Sequence, residues 1–189
     1  MMKSLRLQQG VTLIELMVAL VVLTIGIVIA GPGFSSFSGS SKLESQSREI
    51  QNALMFARSE AIRLNQNVLF CHSTDSLVCS APPSSGWKGW LVIPAAAAIG
   101  SETGPVLRAN QFSDSAIKVG SGTVLASSQH ALRFNSQGLI RVFGNNTPLS
   151  DSINLCIADA SLKPNQYQVQ FNSGGRLQQI TSDTNGSCL

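Results

Sequence analysis

From Val11 to Ala30 the chain runs through twenty residues that are apolar, Gly or Thr, with one exception, Glu15. Twenty residues in an α-helix rise about 30 Å, the thickness of a bilayer's hydrocarbon core, so the run predicts a helix that spans a membrane. A short leader with Lys3 and Arg6 precedes it, which predicts that everything downstream is exported. A carboxylate near the end of such a span costs on the order of a few kcal/mol unless paired, so an intramembrane acid is a functional residue by default. The partner it calls for is a cation at similar depth.

Two plainer readings of this segment compete. Val28-Ile29-Ala30 before Gly31 has the small-residue shape of a secretory cleavage site, but the apolar run is longer than an ordinary signal peptide uses and holds a charge. A simple signal anchor with an incidental Glu is the other. They predict mature starts at Gly31 and Met1.

Gly10-Val11-Thr12-Leu13-Ile14-Glu15-Leu16-Met17-Val18-Ala19, behind Lys3 and Arg6, resembles the class III signal of type IV pilins and type II secretion pseudopilins. The resemblance implies that a prepilin peptidase cuts between Gly10 and Val11, that Val11 becomes the N-methylated first residue, and that Glu15 is the retained acid. One departure is Val11, where the family usually has Phe.

Beyond the first 30 of 189 residues lie 159, enough for one domain with a real core. Lys and Arg total 13 against 10 Asp and Glu, and loss of Lys3 and Arg6 with the leader brings this to 11 against 10. A nearly neutral chain without blocks of like charge does not create a strong field for nucleic acid. Cys71, Cys79, Cys156 and Cys188 all lie on the exported side, where an even number predicts two disulfides. Three pairings fit the sequence. The favoured one joins Cys71 to Cys79 across a short Ser- and Asp-containing loop, and Cys156 to Cys188, tying the tail to a strand. No pair has the two-residue spacing of a zinc knuckle, so no metal is expected.

Gly31-Pro32-Gly33 interrupts the helical pattern, and Pro32 predicts a kink rather than an end. Ile50, Leu54, Ala57, Ala61 and Leu64 then recur on one helical stripe, and Asn65-Gln66-Asn67 offers a stop. Short β-prone runs follow at 68–71, 90–93, 116–119, 132–134, 139–142, 153–156 and 167–171, separated by turns at 84–86, 135–138, 144–146 and 172–175. Hairpins are predicted at Gly138 and Gly174. Tyr167, Val169 and Phe171 alternate with Gln168 and Gln170, a strand with one buried face that the helix stripe can cover.

Ala57 to Asn65, Cys71 to Cys79, Trp87-Lys88-Gly89-Trp90, Phe134 to Gly138 and Gly175-Arg176-Leu177 resemble minor pilins of the FimT/FimU group and the related H-type pseudopilin, the GspH/FimT family. The resemblance implies an α+β fold, a long N-terminal helix packed against antiparallel sheets. The expected organisation is a leader over 1–10, a transmembrane half-helix over 11–31, an amphipathic half over 32–65 and an antiparallel β domain over 66–189.

The function this predicts is a minor pilin of a type IV pilus, near the tip, helping to start assembly; the alternative is a type II secretion minor pseudopilin. Cleavage would create an amine at Val11, which Glu15 of a neighbouring subunit could pair with inside the apolar bundle. Expected partners are other pilin and minor pilin subunits, the prepilin peptidase and, before assembly, the inner membrane. A DNA-binding pilus subunit is a further alternative, because some relatives use an Arg-containing C-terminal motif; Arg176 matches, but its companion position is Gln178. One Arg makes a poor phosphate site. Catalysis is not expected, nor a cofactor: His72, His130 and Asp75 frame no nucleophile motif. Trp87 and Trp90 read as a packed turn and strand start, and Arg58 and Arg63 as a solvated or salt-bridged face beside Glu60.

Overall fold

In a computed structural model, residues 11–96, 98–102 and 104–188 are described, with the side chains of 28–36 excepted. The leader 1–10, with Gly10, lies outside the described residues. The helix α1, Leu13–Leu64, is 52 residues and therefore about 78 Å long. It runs through positions 31–33 without a break in its helical assignment, so the second half follows directly from the first. Thr12 caps its start, the side-chain oxygen accepting the Glu15 N–H at 3.3 Å, which occupies one of the orphan donors of the first turn. Asn65 ends it in the left-handed conformation at φ 49°, a conformation Asn tolerates, and its N–H returns to the carbonyls of Ala61 and Ile62.

Two environments divide this helix. Residues 11–27 are exposed on every side. From Leu43 onward, Leu43, Ser47, Ile50, Leu54, Ala57 and Ala61 are buried, at spacings of three and four that make one stripe. Leu64, expected on that stripe, is only half-buried. Among the described residues no helix is long and apolar enough to cross a membrane. The described side chains of the apolar run stop at Ile27, short of the 11–31 span expected from the sequence.

The stripe packs against two antiparallel sheets. The first contains β1 (Val68–His72), β2 (Gly89–Pro94), β3 (Arg108–Gln111), β5 (Ala131–Phe134) and β6 (Ile140–Val142), in the order β3-β2-β1-β5-β6. The second contains β4 (Ile117–Ser121), β7 (Asp151–Ile157), β8 (Gln166–Phe171) and β9 (Leu177–Ser182), in the order β4-β7-β8-β9. A short helix α2, Thr123–Ser127, follows β4. Tyr167, Val169 and Phe171 join Ile50, Leu54 and Phe70 in one core, as the alternation in β8 implied.

Every residue of β1 is buried, which alternation alone would not produce. Val68 and Phe70 face α1, whereas Leu69 and Cys71 form a second cluster with Leu91, Ile93 and Cys79 on the opposite face. The long β1–β2 connection, closed by the Cys71–Cys79 disulfide, contributes Cys79 to that cover. Cys156, in β7, bonds Cys188 and holds the tail against the second sheet.

Three elements have weak sequence signals. In β3, Arg-Ala-Asn-Gln is a polar edge strand; in β9, Leu177 and Ile180 lie three apart rather than two; α2 is too short to show a period. Each takes its form from neighbours rather than from its own pattern. Asp151 illustrates this: its carboxylate accepts the Leu125 N–H at 2.6 Å, so a residue of β7 holds α2.

Arg58 is where the layers meet. The hairpin turns of the two sheets, Asn135-Ser136-Gln137-Gly138 and Asn172-Ser173-Gly174-Gly175, share one plan, with each Gly N–H donating to its Asn carbonyl at 2.8 Å. Both converge on Arg58, whose Nη1 donates to the Gly175 carbonyl at 3.0 Å. A Cβ on Gly175 would stand 2.8 Å from the guanidinium carbon, and one on Gly138 2.9 Å from Nε. Both glycines also have positive φ, +73° at Gly138 and +81° at Gly175, so close approach and backbone conformation demand the same residue. Arg58 is thus not a solvated surface residue; Arg63, which pairs with Glu60 at 2.6 Å, is.

His72 is fully buried at the end of β1. Its Nδ1 donates to the Ser80 carbonyl at 2.8 Å and its ring meets Trp87 edge-on, so it closes a loop rather than serving as a base. Burial holds its imidazole below the usual histidine value, as it does that of His130.

Two outcomes follow for stability. Arg58→Met, which keeps the stem and removes the donor, is expected to cost about 1–3 kcal/mol in urea unfolding, the range for an orphaned buried carbonyl. Because the folded chain resists protonation of His72 and the unfolded chain accepts it below about pH 6.5, stability is full above that pH and declines as pH falls through the lower, folded value. The urea midpoint should therefore drop between pH 7 and pH 5, and His72→Phe should flatten that decline.

Candidate assembly surface

The exposed half of α1 is built from large apolar side chains. Leu13 is 77% exposed, Ile14 67% and Val22 64%, with Leu16, Met17, Val18, Leu20, Val21, Leu23, Ile25 and Ile27 all above half. A helix apolar all round belongs in lipid or within a bundle of other helices, because neither side offers a face that water would solvate. The β domain covers none of it.

Its few polar groups are arranged unequally. The Thr24 hydroxyl donates to the Val21 carbonyl at 2.8 Å, and Thr12 is engaged as the cap. Glu15 has only its backbone engaged. Among the described residues its carboxylate has no ion-pair or hydrogen-bond partner, although it stands in the first turn, where the helix dipole favours a negative charge. Val11, 68% exposed, lies just before the helix and four positions from Glu15. Val11 and the Glu15 carboxylate are therefore at the same end of one apolar rod. Pro32 lies inside α1, its side chain outside the described residues.

Other residues singled out in the sequence are dispersed. Arg176 is exposed at the entrance to β9, lining a polar hollow with Asp151 and Gln178. His130 forms a different contact from His72: its Nδ1 lies 2.8 Å from the Ser121 hydroxyl, which also accepts the Trp87 indole N–H at 3.0 Å. Trp87 and Trp90 flank Phe70 at 6.0 and 5.8 Å in the core, so neither is a surface platform. The convergence of Arg58 on two turns escaped the sequence reading, although the repeated Asn-Ser-x-Gly pattern was a visible signal.

Comparison with known proteins agrees with this division of the chain. Residues 5–31 match the family described as Prokaryotic N-terminal methylation motif, and residues 46–184 match Type II transport protein GspH. Among solved structures the chain is similar to the type IV minor pilin FimU of Pseudomonas aeruginosa strain PAO1, with 18% identity, 76% of this chain and 92% of that one covered, and a TM-score of 0.51. The minor pseudopilin EpsH from the type 2 secretion system of Vibrio cholerae is 10% identical over 74% of this chain and 96% of that one, with a TM-score of 0.47. No curated protein matches the chain. The likeness to FimU carries the helix-and-two-sheet fold, and the second family match takes in α1 from residue 46 onward and the nine strands of the described residues. Helix, sheets and methylation motif together place the chain in the type II transport protein GspH family, as a GspH/FimT-like minor pilin or pseudopilin.

Proposed function

We propose that this chain is a minor pilin incorporated in a type IV pilus, near the tip, where it helps to start assembly. The observation that carries the filament role is the exposed apolar half of α1 with an unpartnered Glu15 in its first turn. In the inner membrane, lipid covers that surface, with the β domain in the periplasm; in a filament on the cell surface, neighbouring helices cover it. Prepilin peptidase cuts after Gly10 and Val11 becomes the methylated N-terminus. Its amine then supplies the cation that Glu15 of an adjacent subunit lacks. Paired, the two charges cost less in an apolar bundle than either alone, and their meeting sets subunit register. Pro32, a helix breaker between the two halves, supplies a bend or a locally opened turn during packing.

The reading toward a pilus rests on the FimT/FimU-like stretches from Ala57 to Leu177. A second reading, a minor pseudopilin of type II secretion, is favoured by the description of the family that matches residues 46–184. DNA binding has less support: Arg176 is a single exposed cation whose hollow also holds Asp151, and affinity for phosphates grows with the number of cations that engage them.

Glu15→Ala should leave cleavage and membrane insertion intact while the protein largely disappears from sheared filaments; incorporation at the normal level would sink the pairing. N-terminal sequencing of the exported protein should begin at Val11, and replacement of Gly10 should leave full-length precursor in the membrane. Deleting the gene should abolish surface piliation; lost secretion with normal pili would instead establish the pseudopilin reading.

A further inference from the structure

Two sheets have four edges, and three of them are closed by this chain or carry a charge. β6 is bordered by the return at Pro148, which bridges to Arg141; the Val142 N–H donates to the Thr147 carbonyl at 3.0 Å and the Leu149 N–H to the Ile140 carbonyl at 3.2 Å. In β4 the Val119 carbonyl accepts the Trp87 N–H at 2.8 Å, and a Cβ on Gly86 would stand 2.6 Å from the same oxygen. β3 is four residues long and begins with exposed Arg108. The fourth edge is β9, Leu-Gln-Gln-Ile-Thr-Ser, six residues without a charge, Pro or Gly. Natural sheets keep their exposed edges short, charged, bulged or covered, because a free edge is a template for another strand. Among the described residues β9 has none of these protections.

Antiparallel pairs alternate between bonded and non-bonded, and the Asn172 N–H donates to the Arg176 carbonyl at 3.1 Å. Followed from that pair along the β8–β9 register, Gln178, Ile180 and Ser182 bond to β8, while Leu177, Gln179 and Thr181 turn their N–H and carbonyl groups to the free side. The direction of β9 limits what can pair with those groups. Leu162, ahead of β8, lies against Gly39, where a Cβ would be 3.2 Å from Leu162 Cδ1, and the turn after β8 meets Arg58. β8 therefore runs with α1 and β9 against it, alongside the packed half of the helix. Subunits that share a membrane or a filament hold their helices in one sense, so a strand adding antiparallel to β9 must run with its own α1. β1 turns back from the end of α1, and β3 and β6, each two places from it in an antiparallel sheet, share its sense. β4 is the edge with the required sense, and it is closed by Trp87. A second copy thus offers no free edge that fits, whereas a different subunit of the same architecture can.

We propose that β9 is a docking edge, to which a strand of a different pilin subunit adds in antiparallel register, running in the direction of α1 and extending the four-stranded sheet across the subunit boundary. Main-chain bonds to Leu177, Gln179 and Thr181 supply the affinity, as in other cases of strand addition. The inference rests on the filament role, but it concerns the β domain and can fail while that role stands.

Thr181 is exposed and its N–H faces away from β8, so Thr181→Pro removes an outward donor and leaves the β8 ladder whole. Thr181→Lys sets a charge on the same edge. In full-length protein both should keep the parent's urea midpoint while their amount in sheared filaments falls about tenfold or more. A photo-crosslinking benzoylphenylalanine in place of exposed Gln178 should, in cells making filaments, join the otherwise unchanged chain to another pilin subunit, identified by mass spectrometry, and Thr181→Lys should remove that adduct. The adduct decides the matter even where a variant lowers the urea midpoint. Filament entry of both variants at the parent's level, an adduct with a second copy alone, or an adduct that survives Thr181→Lys overturns the proposal. If the variants enter filaments normally and Glu15→Ala does not, the edge contact fails and the filament role stands; a parent absent from filaments overturns both.

Discussion

The packing of one helical stripe, Leu43 to Ala61, against two sheets at once is the interaction on which the rest of the structure depends. Neither sheet could bury its inner face without α1, and α1 has no other reason to keep a straight apolar seam past Gly39. Small residues on that seam, Ala53, Ala57 and Ala61, let the strands approach the helix closely, while Leu43, Ile50 and Leu54 fill the space between layers. Where packing alone would leave the sheets free to slide, Arg58 reaches both hairpin turns. Its bond to the Gly175 carbonyl and its close contact with Gly138 make the two sheets and the helix one unit.

That unit leaves the first half of α1 outside it. Burial of the second half of the helix, with residues 11–27 exposed, separates the packed domain from the exposed segment. The β domain acquires its core without the exposed segment, and the exposed segment keeps its apolar surface for lipid or for neighbouring helices. Glu15 lies on that segment, and among the described residues its carboxylate makes no ion pair or hydrogen bond with the domain.

The disulfides work at the periphery of the same design. Cys71–Cys79 lies over the outer face of the first sheet, where a strand buried on both sides needs a lid, and Cys156–Cys188 returns the tail to β7. The loop closed by the first contributes Cys79 to a small core on one side and leaves Leu77 exposed on the other.

Much of the architecture was legible because burial leaves a period in the sequence. The α1 stripe repeats every three to four residues and β8 alternates every two, and the two turns on Gly138 and Gly174 stand between such runs. The elements that escaped, β3, α2 and β9, have no period of their own; a polar edge strand forms because its neighbour offers a ladder, and α2 is held by Asp151, which accepts the Leu125 N–H. Arg58 was misjudged for the same reason. On a helical wheel beside Glu60 it reads as solvated, and only the folding-over of two turns separated by more than thirty residues makes it half-buried. The sequence by itself determined the apolar rod, its lone acid, the seam and the class of fold, since these follow from local composition and spacing. Tertiary structure decided which carbonyl Arg58 answers, that β1 is covered on both faces, and that Leu77 rather than either tryptophan remains at the surface, because each depends on what distant parts of the chain bring alongside.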